Sequence, residues 1–276
     1  MNPFNSNNEE YFSFLQEIVN YEHGYKLDFN NAKVFNTYAK RNGNVLTDGE
    51  GCEIAEVGLS TDRYLPTPEY PIIDSIHIAD SNFSGPCKIL GMTDHNGKFN
   101  FVTQEINLSG TEKKYLTTPL ARVLEVENMT STDWSKPVFL YNHSGSTFDA
   151  EGNPNTGSKI YFCTKSTALE SNYVVNNAKN SRFTVPDGYI YALKNIYAGN
   201  LLQVSTFWVE LSLQVQAYRQ DFYRKKTLTQ GYSAFNEYDN NFLYILPNHT
   251  MRMIAKTFFA SSTLVGGHNG FLIPIR

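Results

Sequence analysis

The side chains of this chain that could do chemistry are six histidines, three cysteines and a scatter of carboxylates. Among His23, His77, His95, His143, His249 and His268 there is no pair at i+2 or i+4 and no H-E-x-x-H. That pattern would put two imidazoles and a base on one helix face around zinc. Cys52, Cys87 and Cys163 are far apart and include no C-x-x-C. An odd count without a close pair argues against a disulfide framework, so they read as core or surface thiols of a protein made in a reducing cytoplasm. The nucleophile elbow G-x-S-x-G, the phosphate loop G-x-x-x-x-G-K-[ST] and the dinucleotide fingerprint G-x-G-x-x-G after a strand do not occur. The reading is therefore no catalytic residue, no metal site and no cofactor.

Three weaker patterns need a physical alternative. Asp149-Ala150-Glu151-Gly152-Asn153-Pro154-Asn155 places oxygen ligands at alternating positions, like a calcium loop, but lacks the full register and carries a proline; a solvated loop accounts for it. Gly266-Gly267-His268-Asn269-Gly270 sits between late apolar runs and reads as a hairpin turn rather than a phosphate cradle. Arg219, Arg224, Lys225 and Lys226, interleaved with Tyr218, Phe222 and Tyr223, could grip nucleic acid, but a charged strand edge that resists aggregation is the simpler account. Asp74, Asp80, Glu105, Glu125, Glu127 and Glu210 fall on or beside strand-like runs, where a glycosidase pair would form only by meeting in space.

The elements that must position these groups are mostly strands. Residues 8–20 predict one amphipathic helix: Asn7 or Asn8 can cap it, and Glu9 and Glu10 suit its positive N-terminus. Tyr11, Phe14, Leu15 and Ile18 form an apolar stripe flanked by Phe12 and Val19. So short a helix is marginal alone and must pack on the chain's own core or on a partner subunit. Residues 29–41 read as either helix or strand. Beyond Pro66, Pro68 and Pro71, strand signals recur at 72–79, 87–93, 99–108, 115–128, 136–142, 158–165, 181–185, 189–199, 205–220, 222–229, 241–247, 251–261 and 266–276. Asn96-Gly97 is a hairpin signal, and Pro186-Asp187-Gly188 is a turn. In 115–128 the alternation breaks at Arg122 and Val123. In 209–217, Val209, Leu211, Leu213, Val215 and Ala217 alternate strictly with polar residues.

No βαβ rhythm is present. The fold class is all-β: an antiparallel, jelly-roll-like sandwich with a short N-terminal helical arm. The expected division is an arm over 1–65 and a sandwich over 66–276, with a further subdivision near 166–180. Charged residues make up 18% of the 276, against about 25% in typical domains, while aromatic residues reach 14% and net charge is −4. Disorder and a strongly basic nucleic-acid binder are disfavoured. The first twenty residues contain no Lys or Arg and do not read as a secretory signal, and no apolar run is long enough to span a membrane.

Several runs resemble β-rich virion proteins of tailed bacteriophages, especially marine and cyanobacterial phages. KILGMTDHNGKFNFVTQEINLSG is similar to their strand pair V-x-G-L-D-x-x-G-x-x-x-x-E-x-I-x-L-x-G through Ile89, Leu90, Gly91, Asp94, Gly97, Glu105, Ile106, Leu108 and Gly110. A second similarity, to V-P-x-G-x-x-x-x-L, runs through Val185, Pro186, Gly188 and Leu193. A third, to I-P-x-x-T-x-I-x-x-x-A, runs through Leu246, Pro247, Thr250, Met253 and Ala255 with altered spacing. The resemblance covers about residues 70–275. It implies a non-enzymatic structural subunit of the virion, made in the host bacterial cytoplasm, that forms a homo-oligomer and joins capsid, portal, neck or tail subunits. It implies no direct nucleic-acid or membrane role. The arm outside the resemblance is the expected docking element, through Tyr11, Phe12, Phe14, Leu15, Ile18 and Val19. A carbohydrate- or receptor-binding sandwich and a polysaccharide-degrading enzyme are the alternatives.

Overall fold

The computed structural model describes residues 6–37, 39–41, 52–53, 71–164, 174–176, 182–200, 208–217, 223–231, 235–238, 243–257 and 264–276. Within them one helix, α1 (Ser6–His23), precedes nineteen strands. These are β1 (Lys33–Thr37), β2 (Ala39–Arg41), β3 (Cys52–Glu53), β4 (Ile73–Ile78), β5 (Ser84–His95), β6 (Lys98–Ser109), β7 (Lys114–Leu120), β8 (Arg122–Asn128), β9 (Val138–Tyr141), β10 (Ile160–Thr164), β11 (Val174–Asn176), β12 (Phe183–Thr184), β13 (Tyr189–Asn200), β14 (Trp208–Gln216), β15 (Tyr223–Gly231), β16 (Phe235–Tyr238), β17 (Tyr244–Ile245), β18 (Thr250–Thr257) and β19 (Leu264–Pro274). The all-β, sandwich-like architecture with an N-terminal helix is the one expected.

The strands build two sandwiches. The central lobe, residues 71–164, faces sheet β10-β9-β4-β7 against sheet β6-β5-β8. Ile76, Ile78, Leu120 and Leu140 of the first meet Cys87, Ile89, Leu108 and Val126 of the second. Sheet β6-β5-β8 grows from the hairpin read off Asn96-Gly97. Both turn residues have positive φ, 54° and 84°, and the Asp94 carboxylate accepts the Gly97 N–H at 2.6 Å. From that turn β5 and β6 pair from His95/Lys98 to Ser84/Ser109. The irregular run 115–128 is two strands in two different sheets. The chain crosses from β7 to β8 at Ala121, so Arg122 and Val123 belong to a new face. The Gln104 side-chain amide closes that edge: it accepts the Thr118 N–H and donates to the Thr118 carbonyl, as a paired strand would.

The terminal lobe takes strands from both ends of the described chain. Sheet β11-β1-β19-β13-β16 carries β17 and β2 as branches, and sheet β12-β18-β14-β15 carries β3. Tyr191, Leu193 and Leu272 point from the first sheet toward Phe183, Val215, Met251 and Met253 of the second. On the opposite face Ile190, Ala192, Phe271 and Ile273 are covered by α1. Burial on both faces explains why β13 and β19 carry apolar residues at consecutive positions rather than alternately. Phe35 pairs with Gly270 in β19 and, in parallel, with Val174 in β11.

These pairings correct the expected division at residue 65. β1 and β2 pair with β19, and β3 pairs with β18, so these N-terminal strands belong to the terminal lobe. Most of 166–180 lies outside the described residues. The glycine cluster is also corrected. Gly266, Gly267 and Gly270 lie inside β19, and a Cβ on Gly270 would stand 2.2 Å from the Ala192 carbonyl. Glycine is there for close backbone approach, not for a turn.

Candidate functional site

Three places gather the side chains with chemical potential: α1 and its edge, the seam between the lobes, and the outer face of sheet β10-β9-β4-β7.

On α1 the apolar stripe divides. Phe12, Leu15 and Val19 are buried in the chain's own core, and the Phe12 ring meets Phe271 edge-on at 5.2 Å and Phe29 at 4.8 Å. Gln16 anchors the turn after the helix, donating to the Tyr25 carbonyl at 3.0 Å and accepting the Leu27 N–H at 2.8 Å. The docking expectation for Phe12, Leu15 and Val19 is therefore corrected. Of the two destinations open to the helix, the own core takes these three, because β13 and β19 present an apolar outer face that must be covered. Tyr11 and Ile18 are half-buried at the margin, and Phe14 is 45% exposed. Tyr21, 92% exposed and seven residues after Phe14, continues that edge. Its signal in the sequence is the i, i+7 spacing from Phe14, which lies beyond the stripe that ends at Val19.

At the seam, the β5–β6 hairpin tip docks into two turns of the terminal lobe. Asn248 adopts φ 61°. Its side-chain carbonyl accepts the Phe99 N–H at 2.8 Å, and its amide donates to Asp187 at 2.8 Å. The Asp187 N–H returns to the Phe99 carbonyl at 2.7 Å. Buried Arg122 donates from Nε to Thr184 Oγ1 at 3.0 Å and lies over the Phe99 ring at 5.2 Å. Met92, Phe99, Ala121 and Leu124 of the central lobe enter the terminal lobe's core. Pro186-Asp187-Gly188, read as a simple turn, and Pro247-Asn248 are thus the sockets of an inter-lobe joint.

On the outer face of sheet β10-β9-β4-β7, pairing sets Tyr141, Ser75 and Tyr115 side by side. The Asp74 carboxylate accepts the His143 N–H at 2.8 Å, and the exposed Tyr115 ring lies 4.9 Å from the His143 ring. Burial, then the nearby Asp74, pushes the Tyr141 phenol far up, so it stays protonated. The segment 142–159 crosses this face with Phe148 packed on Tyr141 and His77. Its would-be calcium residue Asp149 instead accepts the Asn153 N–H at 2.7 Å, which holds its carboxyl below the usual range.

The remaining candidates are scattered. Glu127 pairs with Lys88 at 3.5 Å. Burial, and then Glu127, raises the Glu125 carboxyl, while Glu105 is exposed. Asp80 accepts from Ser135 and from the Asn82 N–H. Burial pushes the Cys87 thiol up to about 12, which removes it as a nucleophile. Arg224, Lys225 and Lys226 lie on β15, which ends its sheet among the described strands. Arg219 and the side chains of Glu210 and Trp208 fall outside the described residues. Trp134 is buried in the central lobe's core. Among the described residues no three His, Cys, Asp or Glu side chains gather as a metal site, and no helix is long and apolar enough to cross a membrane. Compared with protein families, curated proteins and solved structures, the chain matches none.

Proposed function

We propose that this chain is a non-enzymatic structural subunit of a tailed-phage virion, which self-associates and joins capsid, neck or tail subunits. One observation carries the reading. Among the described residues, many of the polar groups that could do chemistry fasten loops: Asp74 to His143, Asp80 to Ser135, Asp94 to Gly97, Asp149 to Asn153, Asp187 to Asn248 and His249 to the Pro247 carbonyl. A subunit that must keep its shape under contact forces uses carboxylates in this way. Phe14, Tyr21, Tyr115 and Met129 supply exposed apolar and aromatic area of the kind that anchors protein contacts. The resemblance over residues 70–275 is what supports a phage particle as its setting. Mass spectrometry of purified particles from the phage that encodes the chain tests this. Stoichiometric recovery of the chain in intact particles is the expected result, and its absence from them overturns the reading.

A second reading, binding of carbohydrate by the central lobe, is favoured by Tyr115. Its exposed ring stands beside His143 and Asp74, an aromatic surface next to a carboxylate acceptor. A glycan array compared between the native chain and Tyr115→Ala decides it. Signal that disappears in the variant supports it, and an array blank at high protein concentration removes it.

A further inference from the structure

The segment 142–159 is held across the sheet by a bond whose donor can be titrated. On β4, His77 is 1% exposed, and its Nε2 lies 2.8 Å from the Gly152 carbonyl. A carbonyl only accepts, so Nε2 must carry the proton. Nδ1 of the same ring is buried and has no hydrogen-bond partner. Aromatic rings surround it: Phe148 at 4.2 Å, Tyr141 at 5.3 Å and Phe139 at 5.6 Å. The strap is seated as tightly as it is bonded. Gly152 has φ 81°, and a Cβ there would meet Thr111 at 2.9 Å and Ala79 at 3.2 Å. Removing the strap would uncover Phe139, Tyr141 and Ile160, which form a small core with Phe148.

We propose that residues 142–159 form an acid-released strap, with His77 as the latch whose protonation frees it from the central lobe. A second proton can enter only at Nδ1, where it would meet no acceptor and where a charge would lose its water. The groups facing the ring give that proton no counter-charge. From the turn before β7 comes the Lys113 ammonium, 5.1 Å above the Phe148 ring and repelling a charged imidazole. From β9 comes the Tyr141 hydroxyl, protonated and neutral. From the strap comes only the Gly152 carbonyl, because Asp149 and Glu151 are exposed and turned to solvent or to Asn153. On β4 itself, Asp74 is engaged with His143 and Ser75. Burial first, and Lys113 after it, hold the imidazole below its ordinary 6.5, with the Gly152 bond acting the other way.

The sign follows. With the strap open, His77 titrates near its ordinary value; with it closed, it titrates lower. The open state therefore binds more protons below about pH 6.5, and the opening equilibrium rises up to about tenfold for each unit that the pH falls until the closed-state value is reached. Above that window the strap is fully latched.

Hydrogen exchange of the full chain, corrected for intrinsic rates and followed from pH 7.5 to 5.0, reads this directly. The His143 amide, bonded from the strap to Asp74 on β4, reports release, and the Gly152, Asn153, Asn155, Ser158 and Lys159 amides, all bonded within the strap, report its loosening. Their protection is expected to fall below pH 6.5 in the native chain, to stay flat in His77→Gln and to fall less steeply in Lys113→Met. Protection that is flat in the native chain, or that falls equally in His77→Gln, overturns the proposal. If His77→Gln does not fold, the imidazole resonances of the native chain decide. A His77 titration below the ordinary value, with Phe148 resonances moving in step, supports the latch. Titration at or above that value, or without Phe148 following, refutes it.

Discussion

The two lobes solve the same problem by opposite means. In the central lobe every strand pairs with another strand of residues 71–164, and its longest ladder, β5–β6, zips from a two-residue turn. In the terminal lobe the central pairing joins β13 to β19 across the last third of the chain, and β1 reaches β19 from the other end. Local pairing closes small loops, while distant pairing must first meet the entropy of a large one. The terminal lobe answers with burial on both faces of its central strands. β13 and β19 are apolar on both faces, and α1 seals the outer one.

The largest test of this contrast is Leu15→Ala. Leu15 is fully buried between α1 and the β13–β19 face, so its truncation should cost about 2–5 kcal/mol. Hydrogen exchange resolved by lobe should show β13 and β19 losing protection while β5 and β6 keep theirs; uniform loss would mean that the lobes unfold as one. Next is Gly270→Ala, which drives a methyl against the Ala192 carbonyl and should cost about 3 kcal/mol, read from the urea midpoint. A smaller effect, about 2 kcal/mol, is expected for Asn248→Ala, which removes the acceptor of the Phe99 N–H and one donor to Asp187. Its signature is separation of one unfolding transition into two, because it cuts the joint rather than either core. The smallest is Lys88→Met. This pair is largely solvent-exposed on the lysine side, so the midpoint should move by no more than about 0.5 kcal/mol equivalent, and a larger shift would show the pair to be better shielded than its exposure suggests.

Much of the fold was legible because its signals are local. Asn96-Gly97 announces its hairpin through positive φ at both positions, and the strict alternation of Val209 to Val215 announces β14. The break in alternation at Arg122 was visible too, but its meaning, a change of sheet at Ala121, needed both sheets in view. The glycine cluster misled for a physical reason. Glycine serves turns and close approach equally well, and only the Ala192 carbonyl opposite Gly270 distinguishes them. Tyr21 could have been found by extending one helical stripe. His77 could not. An isolated histidine in an alternating strand carries no sign that its ring faces a glycine carbonyl contributed by a loop far along the chain.

By itself, then, the order of residues determined the class of structure: strands by period two, one helix by its stripe, turns by Asn, Gly and Pro. These depend on interactions between residues a few positions apart, which a linear reading contains. Tertiary structure alone decided that the helix closes the chain's own sheet, that the N-terminal strands complete the C-terminal ones, and that scattered polar residues become an inter-lobe joint and a strap. Those outcomes depend on which buried surfaces meet, and the burial of apolar area carries no directional signal along the sequence.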